Sequence, residues 1–148
     1  MTVIRETSAS RQQVWDVLAD GWTYSQWVVG NSRMRAVDPD WPAEGSTIAH
    51  SIGVWPAVIN DETVVLKCQH QEELELLAKL GPFGAARITL HLDDTEEGCR
   101  ITMDEVPVRG PMALLPNSLA RAALWPRNRE STWRLASLAE RRVPDDVD

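Results

Sequence analysis

ARITLHLDDTEEGCRITMDE, residues 86–105, decides the fold. Ala86, Ile88, Leu90 and Leu92 alternate with Arg87, Thr89, His91 and Asp93. After Glu96-Glu97-Gly98, Cys99, Ile101, Met103 and Glu105 alternate with Arg100, Thr102 and Asp104. Period two with one apolar set is a strand that turns one face to a core. A Gly-containing acidic turn between two such runs makes them an antiparallel hairpin.

The same pattern extends towards the N-terminus. Residues 73–80 place Leu74, Leu76 and Ala78 together, and Gly81-Pro82 breaks the run. Residues 63–69 place Val64, Leu66 and Cys68 on one face, with His70 in line. Residues 47–55 place Ile48, His50, Ile52 and Val54 on one face, and residues 32–37 read as a further strand before the loop Asp38-Pro39-Asp40-Trp41-Pro42. Such a succession with close turns is an antiparallel meander. Before it stand a short strand, residues 2–7, and two short helices. The first opens on Ser10-Arg11-Gln12-Gln13, which has the form of a capping box. Gly21 suits its stop, and Thr23 suits the cap of the second, which runs through Trp27 to about Gly30. After the meander, residues 112–124 read as a broken connection, and Pro126 fits a first helical position. The window 127–142 is the longest helix, with Trp125, Thr132, Leu135, Ala136, Ala139 and Val143 on one face and Asn128 and Arg129 at its edges. Residues 1–143 form one domain on this reading, and 144–148 a disordered tail.

Composition excludes several classes of function. A net charge of −7 argues against nucleic acid as a partner. The isolated Cys68 and Cys99 do not read as a disulfide scaffold. The opening MTVIRETSAS lacks the apolar core of a signal peptide, and no run is long and apolar enough to span a membrane. A cytoplasmic protein, a monomer or weak homodimer, is therefore expected. No P-loop, G-x-S-x-G, H-E-x-x-H or G-x-G-x-x-G occurs, and no cofactor is expected. Seven Trp stand against one Tyr and one Phe. Some of those indoles are candidates for lining a cavity.

The arrangement is α+β: a curved antiparallel sheet of about seven strands wrapped round a long C-terminal helix. One helix cannot fill the concave side of such a sheet, so a cavity is expected between them. His50, Ile52, Cys68, His70, Leu76, Leu90, Met103 and Glu105 belong to the inward-reading strand positions, and Trp27, Trp55 and Trp133 are the indoles expected nearest the cavity. Trp22 and Trp41 read as loop and lid packing. Glu105 pairs on this reading with Arg129, Asn128 beside it, as a polar cluster that orients a ligand or clamps the helix to the sheet. His50 and Glu105 are the weak catalytic candidates, for proton transfer. The set Cys68, His70 and His50 admits a zinc site only on favourable register, and no metal is expected.

The chain resembles the START/Bet-v-like superfamily, also called SRPBCC or helix-grip proteins. The stretches that carry the resemblance are Ala9 to Trp15 with Val17-Leu18-Ala19-Asp20, Gly21-Trp22, Trp27-Val28-Val29-Gly30, Trp41-Pro42, Gly45, His50-Ser51, Gly53-Val54-Trp55-Pro56, Glu105, Gly110-Pro111 and Pro126-Arg127-Asn128-Arg129-Glu130. Within the superfamily it is most similar to an actinobacterial-type polyketide cyclase/dehydrase-like subgroup. The resemblance implies the helix-grip fold and an internal site for a hydrophobic small molecule: a lipid, a polyketide or an isoprenoid-like metabolite. It also admits a cyclase/dehydrase-type enzyme and a chaperone-activator-like interaction protein, because fold does not fix function.

Overall fold

A computed structural model of the chain describes residues 1–143. The tail expected at 144–148 lies outside the described residues. Seven strands, β1 (Thr2–Thr7), β2 (Asn31–Val37), β3 (Thr47–Val54), β4 (Ala57–Gln69), β5 (Glu73–Lys79), β6 (Ala85–Asp94) and β7 (Cys99–Arg109), form one sheet in the order β1-β7-β6-β5-β4-β3-β2. Every pairing is antiparallel. Helix α1 (Arg11–Ala19) and the single turn α2 (Tyr24–Trp27) follow β1, and α3 (Asn117–Glu140) closes the fold. The sheet is curved round α3, with register shifts in β2–β3, β4–β5 and β6–β7.

Local chemistry explains the element boundaries. Ser10 caps α1 reciprocally with Gln13: the Gln13 amide donates to Ser10 Oγ at 3.1 Å, and the Ser10 amide to Gln13 Oε1 at 2.8 Å. Gly21 is not left-handed after all. It is needed because a Cβ there would lie 2.7 Å from Val37 Cγ1. Thr23 caps nothing; its hydroxyl donates to the carbonyls of Val17 and Asp20. Trp41 is core rather than lid, and its indole N–H donates to Leu18 O at 3.1 Å.

Two corrections concern which faces are buried. In β4 the inward residues are Thr63 and Val65, while Leu66 is 42% exposed. Leu66 is the extra residue of a bulge: Val65 pairs with Leu76 and Lys67 with Glu75. The bulge flips the parity, so Cys68 still turns towards the core opposite Leu74. The second correction is in α3, which starts nine residues before Pro126 and runs through it. Its buried face is Leu124, Asn128, Ser131, Thr132, Leu135, Ala136 and Ala139, and Trp125 is exposed.

Candidate functional site

Side chains on the inward faces shrink along the sheet. Leu74 and Leu76 of β5 lead to Ala78, and Leu92, Leu90 and Ile88 of β6 lead to Ala86. On β7, Ile101 and Met103 lead to Glu105. The large side chains fill one end of the grip as a buried core. At the other end the small ones leave a cavity of about 280 Å³. Its walls are Tyr24, Val28, Val29 and Gly30 from α2 and the chain after it, Asn31 of β2, His50 and Ile52 of β3, Ala78 and Leu80, Glu105, Met112, and Ala123, Leu124 and Arg127 of α3. A more open cleft of about 480 Å³ lies on the far side of Glu105 and Leu124, between β7 and the start of α3.

Two polar groups are set into this wall. Glu105 is 2% exposed, and Arg127 Nη1 donates to its two carboxylate oxygens at 2.9 and 3.1 Å. The same Nη1 reaches Asn128 Oδ1 at 3.1 Å, and Arg127 Nε donates to Val29 O at 3.0 Å. The guanidinium therefore ties β7, α3 and the end of α2 together. The second group is a relay of Tyr24, Thr63 and His50. His50 Nε2 lies 2.8 Å from Thr63 Oγ1, and the Tyr24 hydroxyl lies 3.4 Å from the same oxygen. The Tyr24 and His50 rings lie 5.4 Å apart. Burial pushes His50 down to about 4, so the imidazole is neutral at physiological pH. Burial raises the Tyr24 hydroxyl in turn. The arrangement that satisfies both hydroxyl hydrogens within the relay has Tyr24 donating to Thr63 and Thr63 to His50 Nε2. That leaves His50 Nδ1 as an N–H donor.

Five buried side-chain polar atoms among the described residues have no hydrogen-bond partner. Three of the five are His50 Nδ1 and both amide atoms of Asn31, on two residues that line the cavity. A fourth is Asn128 Nδ2, beside Arg127.

Of the residues singled out from the sequence, His50, Ile52 and Glu105 stand in the cavity wall, with Asn128 directly behind it. Trp27, Leu76, Leu90 and Met103 are fully packed core and do not border the cavity. Cys68 lies at the edge of that core. His70 sits in the β4–β5 turn, exposed, with its ring edge-on to Trp15 at 5.5 Å. Cys68, His70 and His50 therefore do not converge. Among the described residues no group of three or more His, Cys, Asp or Glu side chains could hold a metal. Trp55 is 84% exposed at the β3–β4 hairpin tip, because the strand ends before it. Trp133 is 53% exposed on the outer side of α3. Arg129 is not the partner of Glu105. It lies 5.2 Å from the Trp125 ring, and Arg5 Nη2 donates to its carbonyl. Tyr24, Asn31, Thr63, Ala78 and Arg127 were missed. The spacing Leu124, Asn128, Ser131, Leu135 would have set the phase of α3 and brought Arg127 into view.

No family model matches the sequence, and no curated protein matches it. Solved structures do. The di-domain ARO/CYC StfQ from the steffimycin biosynthetic pathway superposes with a TM-score of 0.73 at 10% identity, over 95% of this chain and 50% of that one. Ara h 8.0201 gives 0.73 at 7% identity, over 96% and 97%. Protein CV1439 from Chromobacterium violaceum gives 0.71 at 14%, over 96% and 98%. At such identities the likeness establishes the fold. The protein has the helix-grip fold that its sequence resemblance implied.

Proposed function

We propose that this chain binds a small, largely apolar molecule carrying a hydrogen-bond acceptor, in the cavity between β3, β5 and α3. The observation that carries the reading is the set of unpartnered polar atoms, His50 Nδ1 and the Asn31 amide, on residues that line an otherwise apolar cavity. A buried donor without an acceptor costs about 1–3 kcal/mol. An apolar ligand with one carbonyl or hydroxyl oxygen would relieve that cost while burying its own hydrocarbon surface. The cavity, about 280 Å³, suits a compact molecule rather than a long-chain lipid. This favours a polyketide- or isoprenoid-like fragment over the other ligands considered. Binding is preferred to cyclase or dehydrase chemistry, because His50 meets Thr63 and Glu105 is held by Arg127, so among the described residues no histidine–carboxylate couple forms in the cavity. A cytoplasmic location fits the two unpaired thiols, Cys68 and Cys99.

The test is native mass spectrometry of freshly purified protein, repeated after denaturing extraction, on the wild type and Ala78→Leu. A co-purified small mass that denaturation releases and that Ala78→Leu reduces at least tenfold is expected. A wild type free of any such mass, and with no saturable uptake of an apolar carbonyl-bearing fluorophore, would overturn the reading.

A further inference from the structure

Turns at the two ends of the sheet differ in kind. At one end lie the β2–β3, β4–β5 and β6–β7 connections, which carry Asp38, Asp40, Glu44, Glu72, Glu96 and Glu97, with Asp93 and Asp94 closing β6 beside them. At the cavity end lie the β3–β4 tip, the β5–β6 turn and the segment between β7 and α3. Residues 51–60, 76–90 and 106–129 of that end contain no Asp or Glu and carry Lys79, Arg87, Arg109, Arg121, Arg127 and Arg129. Of the neighbouring acids, Asp61 is bonded to the Gly81 amide, Glu62 to Lys79, Asp104 to the N-terminal amine and Glu105 to Arg127. A protein of net charge −7 thus has at this pole, with those acids engaged, Arg109 and Arg121 that make no ion pair among the described residues.

The same pole exposes large apolar side chains. Val54 and Trp55 stand 81% and 84% exposed at the hairpin tip, and Leu114 is 86% exposed. Phe83, Val108 and Leu115 are also exposed. Phe83 and Leu114 belong to adjoining turns: Gly84 and Gly110 approach so closely that a Cβ on Gly84 would lie 1.8 Å from Arg109 O. Met112, between these turns, lines the cavity, as do Ile52 just before the hairpin tip and Leu80 beside Phe83. The exposed apolar groups therefore surround the end of the grip where the cavity lies.

From this we infer that the cavity end docks on an anionic lipid bilayer, with Trp55, Phe83 and Leu114 entering the interface and Arg109 and Arg121 lying at headgroup level. The apolar groups sit on three separate turns. A deformable bilayer accepts such tips, whereas a rigid partner must match their relief. A Trp at a projecting tip suits the polar–apolar boundary of a membrane. Arg109 and Arg121 facing an anionic surface, with the acidic turns of the opposite end directed away, fix the orientation electrostatically. Docking requires no occupant in the cavity, so it stands or falls separately from the ligand reading.

The experiment is flotation with large unilamellar vesicles of phosphatidylcholine alone and of equal parts phosphatidylcholine and phosphatidylglycerol. The wild type should partition at least tenfold more strongly onto the anionic vesicles, and salt should weaken that partition. Trp55→Ser with Leu114→Ser should lower it at least tenfold, and Arg109→Glu with Arg121→Glu should remove the preference for anionic lipid. Both pairs change exposed side chains, and circular dichroism confirms that they fold. Failure to float with anionic vesicles would overturn the inference. So would a dimer in sedimentation velocity that the apolar pair dissolves while vesicle binding is absent, which would give the face to a second copy of the chain.

Discussion

The two ends of this grip are made of the same strands and the same helix, yet one is solid and the other hollow. At the solid end Leu74, Leu90, Leu92, Ile101 and Leu135 meet, each no more than 2% exposed. At the hollow end the corresponding places hold Ala78, Ala86, Glu105 and Asn128. The solid end contributes apolar burial at about 25 cal/mol per Å² and fixes the register of every strand. The hollow end spends part of that stability on buried polar groups, which a fold alone does not require. Its stability should therefore be electrostatic in character and sensitive to single charges and to pH, while that of the solid end should not.

The largest effect should come from Arg127→Met. The side chain of Arg127 is 25% exposed, but its partner Glu105 is only 2% exposed. Removing one member of a buried pair leaves an uncompensated charge, at a cost of about 3–5 kcal/mol. Urea unfolding at pH 7 should show that loss. Replacing both partners, Glu105→Leu with Arg127→Met, should restore most of the stability, because the desolvation of both charges is then avoided. A single substitution that costs under about 1 kcal/mol would mean that the pair is solvated and that the hollow end is open in solution.

Next in size is the pH dependence carried by His50. Its ordinary value is 6.5, and burial lowers it to about 4 in the fold. The unfolded chain therefore binds the proton more readily between those values. The stability that neutral His50 contributes is complete above about pH 6.5 and is lost as the pH falls towards 4. The full difference amounts to about 3 kcal/mol. Comparing urea unfolding of the wild type and His50→Gln across this window isolates the contribution, because other titrating groups are common to both. The wild type should lose stability more steeply on acidification. Parallel curves would show that His50 is solvated.

The uninterrupted strands were the legible part of the molecule. Strict alternation through Ala86–Leu92 and Cys99–Glu105 can arise only where one face is buried, and β6 and β7 follow it without interruption. Misreading set in wherever backbone geometry broke the period. The bulge at Leu66 reversed the parity of β4, and no side chain in that run announces it. Pro126 resembles a helix start, yet tertiary packing carries α3 through it at the loss of one main-chain donor. The face read through Thr132, Leu135, Ala136 and Ala139 is the buried one, but cut off at its start it put Trp125 inside, left Leu124 out and chose Arg129 over Arg127.

The smallest predicted effect tests that last choice. Arg129 and Arg127 are two residues apart on one helix, with the same chemistry and opposite surroundings. Arg129 is exposed, stacked on a Trp125 ring that is itself 40% exposed. Such an exposed contact contributes about 0.5–1 kcal/mol at most, because water competes for both partners. Arg129→Ala should therefore change unfolding stability by no more than about 0.5–1 kcal/mol and leave the pH profile of His50 untouched. If Arg129→Ala instead cost as much as Arg127→Met, Glu105 would be bound by both guanidinium groups. The division between a polar, hollow end and an inert outer helix face would then have to be redrawn around Trp125.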